Sequence, residues 1–479
     1  MNKITRRAFL KKSALGAGLL SMSARSWSQA AGANGDIRIA VVGFNGRGGD
    51  HIKAWEKMPG VRLVALCDVD SNVLGRQVSR LKDQGQSVEG YTDVRKLLEN
   101  KDIDAISIAT PNHWHATATV WGVQAGKDVY VEKPTCHNIA EGEKMVEAQK
   151  RYKKIIQAGT QSRSSHGIKE AVEWVQDGNL GKVLVSRGLC YKRRASIGKS
   201  TGPQPVPKSV DYDVWLGPAP MRQPRREKFH YDWHWFWDYG AGDLGNQGIH
   251  EMDVARWFLG ESTLAPRVMS VGGRLGYEDD AETPNTLIVF QDYERAPLIM
   301  EVRGLPEKSG AETMDSYKGG RVGIVVECEG GYVLVPDYNS ATIRDKEGNV
   351  MKSFKGSTSH FENFIKAVRS RNQNDLNAPI LEGHLSTGLC HTGNISYRLG
   401  KQQTSDAIRE QIKGDKIAEA TFQRMAEHLS ANGVDLEKTP ATLGTVLRMN
   451  LADSTFIDNQ EATALLSRNP REPYTINLS

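Results

Sequence analysis

Lys133 and His250 are the two side chains whose type and setting could do chemistry. Lys133 ends the run Asp128-Val129-Tyr130-Val131-Glu132-Lys133-Pro134, an apolar stretch with strand character. His250 sits in Gly240-Ala241-Gly242-Asp243-Leu244-Gly245-Asn246-Gln247-Gly248-Ile249-His250-Glu251-Met252-Asp253. Met252, Ala255, Arg256 and Leu259 recur at helical spacing, so this is a glycine-rich turn entering a helix with His250 in its first turn. A histidine near a helix start is kept closer to neutral by the positive end of the helix dipole, which suits a base. A lysine at a strand end can hold the oxygen from which such a base removes a proton.

A nucleotide loop lies upstream. Val41-Val42-Gly43-Phe44-Asn45-Gly46-Arg47-Gly48 follows an apolar run and precedes a helical pattern. Gly43, Asn45 and Gly48 occupy the places of GxGxxG, with asparagine where the backbone should approach a pyrophosphate. Asparagine tolerates left-handed dihedrals, and Gly46 keeps the loop open. Backbone N–H groups at the following helix start can then hold phosphate. Asp68 closes the second apolar run, where a carboxylate takes the adenosine ribose hydroxyls and favours NAD over NADP. Arg47 leaves room for a 2′-phosphate, so NADP stays open. The chemistry these parts allow is hydride transfer from a carbinol to nicotinamide, with His250 taking the hydroxyl proton and Lys133 stabilising the oxygen.

The elements that must position these groups read as an α/β protein. Gly35 to about Ala158 alternates strands (Ile37–Val42, Val61–Cys67, Ile103–Ala109, Asp128–Val131) with helices (from Gly48 past Trp55, His115–Ala125, Glu141–Tyr152). That alternation predicts a doubly wound parallel Rossmann sheet over 35–158. From 159 to 400 the style changes. His166–Asp177 reads as a helix and Val183–Tyr191 as a strand. Gly198–Pro224 is a long Gly/Pro/Ser loop. The runs 268–274, 286–291, 298–302, 323–328 and 332–335 predict a largely antiparallel sheet in an α+β domain, followed by helices over 360–371 and 382–399. Residues 401–479 form a mixed C-terminal extension, non-helical at Pro470–Pro473.

The bulk properties agree with this organisation. At 479 residues the chain exceeds one domain. Its 39% hydrophobic and 25% charged content is globular, and a net charge of +5 gives no reason to expect nucleic acid. Cys67, Cys136, Cys190, Cys328 and Cys390 show no CxxC or CxH spacing, which excludes a disulfide framework and a zinc knuckle. His234 and His250 have no carboxylate or cysteine at ligand spacing, so no metal is expected. Thr5-Arg6-Arg7-Ala8-Phe9-Leu10-Lys11 fits a twin-arginine signal, with a Gly/Ala-rich core to Met22 and a cleavage motif at Ser28-Gln29-Ala30. Residues 1–34 are therefore expected to be signal peptide and linker, and the mature chain periplasmic without a membrane span.

Together these residues resemble the Gfo/Idh/MocA oxidoreductases, named for glucose–fructose oxidoreductase and inositol dehydrogenase. The resemblance runs from Asp36 to about Lys401. It rests on the glycine loop, Thr110-Pro111-Asn112-His113, Glu132-Lys133-Pro134, Trp215-Leu216-Gly217-Pro218 and the His250 motif. It implies that Lys133 and His250 are catalytic. It also implies that Thr110, Pro111, Asn112, His113, Glu132 and Lys133 bind the nicotinamide side of the cofactor. Many members carry aspartate four residues before the histidine, where this chain has Asn246. Asparagine orients a substrate but cannot share a proton. This leaves His250 and Lys133 acting alone, or Asp243 or Glu251 in the aspartate's place.

The substrate expected is a sugar or glycoside. His230-Tyr231-Asp232-Trp233-His234-Trp235-Phe236-Trp237-Asp238-Tyr239 has alternate tryptophans, and one strand face carrying Trp235 and Trp237 would stack on sugar C–H faces. Arg163, Asn246 and Asp253 are the polar candidates for substrate binding, and Lys192-Arg193-Arg194 adds positive charge. A glycosidase working by transient oxidation and elimination is the alternative. An NAD-bound sugar sensor is a third reading. The antiparallel sheet offers a subunit face for a homo-oligomer.

Overall fold

The computed structural model describes residues 35–478; the twin-arginine motif and the rest of the expected leader lie outside the described residues. Strands β1 (Ile37–Val42), β2 (Val61–Cys67), β3 (Glu89–Tyr91), β4 (Ala105–Ile108), β5 (Asp128–Val131) and β6 (Ile156–Ala158) form a parallel sheet in the order β3-β2-β1-β4-β5-β6. Helices cover both faces. Central strands must then be apolar on both sides, and β4 and β5 are buried throughout. The strand order reverses between β1 and β4, so the loops leaving them diverge and open a crevice at the strands' carboxyl ends.

Two glycines shape that crevice. Gly43 has φ +75°, and a Cβ there would meet Thr110 at 2.9 Å. Gly48 opens the helix Gly48–Lys57, and its Cβ would fall 2.0 Å from the Gly43 carbonyl oxygen. No side chain fits either place, so the loop after β1 packs directly on the loop after β4 and on its own helix.

The second sheet contains β7 (Val183–Tyr191), β8 (Arg267–Gly273), β9 (Thr286–Asp292), β10 (Leu298–Arg303), β11 (Val322–Cys328), β12 (Gly331–Val335), β13 (Ser340–Arg344), β14 (Val350–Lys355), β15 (Lys401–Gln402) and β16 (Thr442–Leu443). They run in the order β14-β13-β12-β11-β7-β10-β9-β8-β16-β15, antiparallel except for the β7–β10 pair. One face packs on the helices Gly248–Leu259 and Ile380–Arg398 through Met252, Phe258, Leu389 and Met300.

The other face carries Met269, Val271, Ile288, Phe290 and Ile299. It is covered by Ile408 of the helix Ser405–Gln411, by Ile412 just after it, and by Phe422, Met425 and Leu429 of the helix Lys416–Ala431. This part of the sheet, expected as a subunit face, is therefore occupied by the chain's own C-terminal extension. No helix of the described residues is long and apolar enough to cross a membrane.

The aromatic run 230–239 departs from the expected strand. Asp232–Trp235 is a 3₁₀ turn, and on either side of it Phe229 and Tyr239, with Trp215, pack on the Arg226 guanidinium, at 4.6 Å from the Phe229 and Trp215 rings and 5.3 Å from Tyr239. Packing of rings about one cation overrides the strand preference of aromatic residues.

Candidate active site

A cleft of about 290 Å³ follows the crevice. Gly43, Asn45, Gly46, Arg47, Asp68, Thr110, Pro111, Asn112, Glu132 and Lys133 line it, as does Asn246 at the far end. Gly48 does not face the cleft; it is buried beneath the loop it allows. Asp68 accepts the backbone N–H groups of Phe44 and Asp70, each at 3.0 Å, so its carboxylate is locked at the end of β2 beside the glycine loop. Burial raises its proton affinity, partly offset by those two bonds. The Arg47 guanidinium is directed to Glu132 at 3.0 Å and Asp50 at 3.2 Å. In this arrangement it faces Glu132 and Asp50, not Asp68.

Glu132 organises the part of the cleft next to Lys133. Its buried Oε1 accepts from His51 Nε2 at 3.0 Å, Arg47 Nε at 3.0 Å and Gln161 Nε2 at 3.1 Å. Burial alone would raise this carboxyl. The hydrogen bond and charge of His51, with Arg47, outweigh it and hold the group well below the usual carboxylate range. A fixed anion thus precedes Lys133. The Lys133 ammonium crosses to the second domain and donates to the Asn246 carbonyl at 2.7 Å. Burial lowers its proton affinity, with Glu132 opposing.

His250 is the third residue of the helix Gly248–Leu259, 5% exposed, with Nδ1 unpartnered. Burial, reinforced by the Lys133 cation, pushes its pKa down to about 3. It is therefore neutral at ordinary pH, as a base requires. Its ring lies 4.9 Å from that of Tyr338, at the tip of the β12–β13 hairpin.

His250 does not itself line the cleft, and several other expected residues also lie away from it. His113 is fully buried behind the cleft; it donates through Nε2 to the Trp215 carbonyl at 3.0 Å, and burial brings its pKa down to about 3. It supports the cleft wall, because consecutive helix residues point to different sides and Asn112 takes the cleft side. Arg163 and Asp253 do not line the cleft. They form a buried ion pair with Nε–Oδ distances of 3.0 and 2.9 Å, extended by Glu382 at 3.0 Å from Arg163 and by the Ser386 hydroxyl at 2.6 Å from Asp253.

Trp235 is 2% exposed, with the Arg274 guanidinium 5.0 Å from its ring, and belongs to the core. Trp237 packs against Arg398 at 5.3 Å, away from the cleft. The same segment instead supplies His230, Tyr231, Trp233 and His234 to the lining. The 3₁₀ winding rotates the rings that a strand would have aligned. Asp243 is held bidentately by Arg194 at 2.9 and 2.7 Å, so it is not free to replace the missing aspartate. Of the basic triplet, Lys192 donates to Gln247 at 2.8 Å and Arg193 pairs with Glu312 at 2.5 Å.

Trp114, Trp215 and Tyr338 were not singled out as site residues from sequence. The Trp114 indole N–H is shared between the Val214 and Trp215 carbonyls, at 3.1 and 3.0 Å. Trp215 lay within a recognised motif; Tyr338 carried no local signal.

Comparison with known proteins places these parts. Residues 37–160 match the family described as "Oxidoreductase family, NAD-binding Rossmann fold" (GFO_IDH_MocA), and residues 165–429 match its "C-terminal alpha/beta domain". Inositol 2-dehydrogenase of Salmonella typhimurium is 27% identical over 186 residues, 38% of this chain and 54% of that protein. A glycosyl hydrolase family 109 protein of Solibacter usitatus is 33% identical over 154 residues, 29% of this chain and 35% of that protein. The chain thus spans about half the length, or less, of these curated relatives.

Among solved structures, levoglucosan dehydrogenase in complex with NADH and levoglucosan superposes with a TM-score of 0.56 at 15% identity, covering 74% of this chain and 95% of that one. The WlbA dehydrogenase of Bordetella pertussis, in complex with NADH and UDP-GlcNAcA, gives 0.54 at 18%, covering 74% and 94%. Both share the fold. With the two family matches spanning both sheets, the chain belongs to the Gfo/Idh/MocA family of NAD-binding oxidoreductases.

Proposed function

We propose that this chain oxidises a ring carbinol of a sugar or glycoside with NAD held in the cleft. One observation carries the reading: the Lys133 ammonium reaches from the end of β5 to the Asn246 carbonyl, joining the cofactor cleft to the turn that leads into the neutral His250. The cleft suits a dinucleotide, with a loop whose Gly43 and Gly48 admit no side chain for the pyrophosphate and Asp68 for the ribose. Bound there, NAD supplies the acceptor for the hydride that leaves the carbinol carbon. His250 takes the hydroxyl proton. Lys133 holds the oxygen as its charge develops, and Asn246 orients the substrate without exchanging a proton.

The test uses the purified full chain with a panel of sugars and aryl glycosides. A lasting rise in the reduced-nicotinamide absorbance band supports the oxidoreductase. If no nucleotide is released on denaturation and added NAD gives no signal, the reading fails. Asn246 and the family 109 relative favour a second reading, a glycosidase acting by transient oxidation. It predicts aglycone release with no lasting rise in that band.

The twin-arginine motif supports export with the cofactor already bound, and N-terminal sequencing of a periplasmic fraction checks it. A cofactor carried out of the cytoplasm must be kept, and the C-terminal segment offers a means. Tyr474 is fully buried against Trp114, at 5.4 Å between rings, and donates to Asp213 at 2.8 Å. Arg471 donates to the Asp213 carbonyl at 2.6 Å and the Gly217 carbonyl at 3.1 Å. These contacts clamp the stretch carrying Val214 and Trp215, which line the cleft. A chain with Arg471→Ala and Tyr474→Phe is expected to lose bound NAD about tenfold faster, equivalent to about 1.4 kcal/mol of retention. An unchanged dissociation rate would show that the clamp does not retain the cofactor.

A further inference from the structure

The helix that carries His250 also carries a buried carboxyl group that the reaction above does not use. Glu251 is 1% exposed; its Oε1 accepts from Gln247 Nε2 at 3.1 Å and its Oε2 has no partner. Leaving a carboxylate oxygen bare in the interior is costly, whereas a neutral carboxyl tolerates it.

Gln247 ties this group to the site. Its Oε1 accepts from Lys192 Nζ at 2.8 Å, and its Nε2 also donates to the Tyr338 hydroxyl at 3.0 Å. Tyr338 in turn lies against the His250 ring. One amide therefore joins the end of β7, the β12–β13 hairpin and the catalytic helix around His250.

The charges facing Glu251 come from several elements. Lys133, from the cofactor domain, favours its ionised form, and Asp243, on the preceding turn, opposes it. Cys190 of β7 and Cys390 of the helix Ile380–Arg398 are thiols whose ionisation burial opposes. Burial of Glu251 itself dominates and pushes its pKa up to about 8.

We propose that Glu251 stands in for the aspartate absent at position 246, as a positioning residue that sets His250 through Gln247 and Tyr338 and governs the charge of Lys133. This rests on the roles given above to Lys133 and His250. As pH rises through the Glu251 ionisation, a negative charge appears near Lys133 and helps it keep its proton. Glu251→Gln preserves the shape and can still accept from Gln247, but it never gains that charge. Lys133 then loses its proton at lower pH.

Two measurements on the full chain test this. Without substrate, infrared difference spectra of the wild type against Glu251→Gln are expected to show a neutral carboxyl band that disappears as pH rises through about 8; a carboxylate ionised at every pH overturns the proposal. With substrate, Glu251→Gln is expected to keep its bound NAD while the alkaline limb of the rate profile moves down by about one pH unit. A profile of unchanged shape, scaled by a constant factor, is what a merely structural role would give and overturns it. The infrared band with no sugar oxidised under any condition overturns the assigned activity, and the positioning role of Glu251 with it.

Discussion

Lys133→Met is expected to slow formation of reduced cofactor about 10²–10³-fold while leaving bound NAD in place, as removal of one preorganised donor to a developing oxyanion does elsewhere. The methionine stem fills the same buried volume but carries no charge and no donor. What is lost is the ammonium that reaches the Asn246 carbonyl at the substrate end of the cleft. Burial has already lowered the proton affinity of this lysine, which makes it a stronger partner for an oxygen gaining charge. Glu132 stays ionised and held by His51 and Arg47, so the cofactor end keeps its structure in the variant. Stopped-flow absorbance with excess substrate checks the rate, and nucleotide released on denaturation checks the occupancy. A rate within a few-fold of wild type would remove Lys133 from the chemistry. Loss of NAD in proportion to rate would make it a cofactor ligand only.

Lys133 was legible in the sequence for a physical reason. Parallel strands covered by helices on both faces are continuous apolar runs, and β1, β2 and β5 stand at the positions their runs predict. Chemistry gathers where such runs end. The glycine loop was legible because its shape excludes side chains. β13 and β14 were not, since β14 is mostly exposed and reads Val-Met-Lys-Ser-Phe-Lys, with pairing to β13 as its support. Nor was the direction of the aromatic rings, which depends on the 3₁₀ turn Asp232–Trp235 and on a cation, Arg226, that gathers Trp215, Phe229 and Tyr239. Tyr338 reaches His250 because a hairpin places it there, and no pattern near position 338 encodes that contact. Local spacing reports local structure; partners distant in sequence are known only once the chain has folded.

Asp253 shows the consequence most sharply. From the sequence it was a polar candidate for substrate binding, yet Arg163 and Ser386, which bind it, are 90 and 133 residues away. Asp253→Ala is expected to destabilise the protein by about 3–5 kcal/mol, because it leaves Arg163 buried with only Glu382, a partner Arg256 also uses. Denaturant midpoints, compared at equal slope, measure the loss. Asp253→Asn keeps the shape and should lose less.

The sign of the pH dependence is fixed by the direction of the shift. Burial would raise the Asp253 carboxyl, but the charge and hydrogen bonds of Arg163 prevail and hold it below its ordinary value. The stabilisation is then complete above the unfolded pKa and is lost as pH falls through the lower folded one, so the gap between wild type and Asp253→Asn should narrow below about pH 4. A substrate contact would behave otherwise: Asp253→Ala would melt like the wild type and raise KM. That outcome would restore the substrate-binding role expected of it from the sequence, whereas an unstable variant whose folded fraction binds substrate normally leaves Asp253 as the tie between the His250 helix and the turn bearing Arg163.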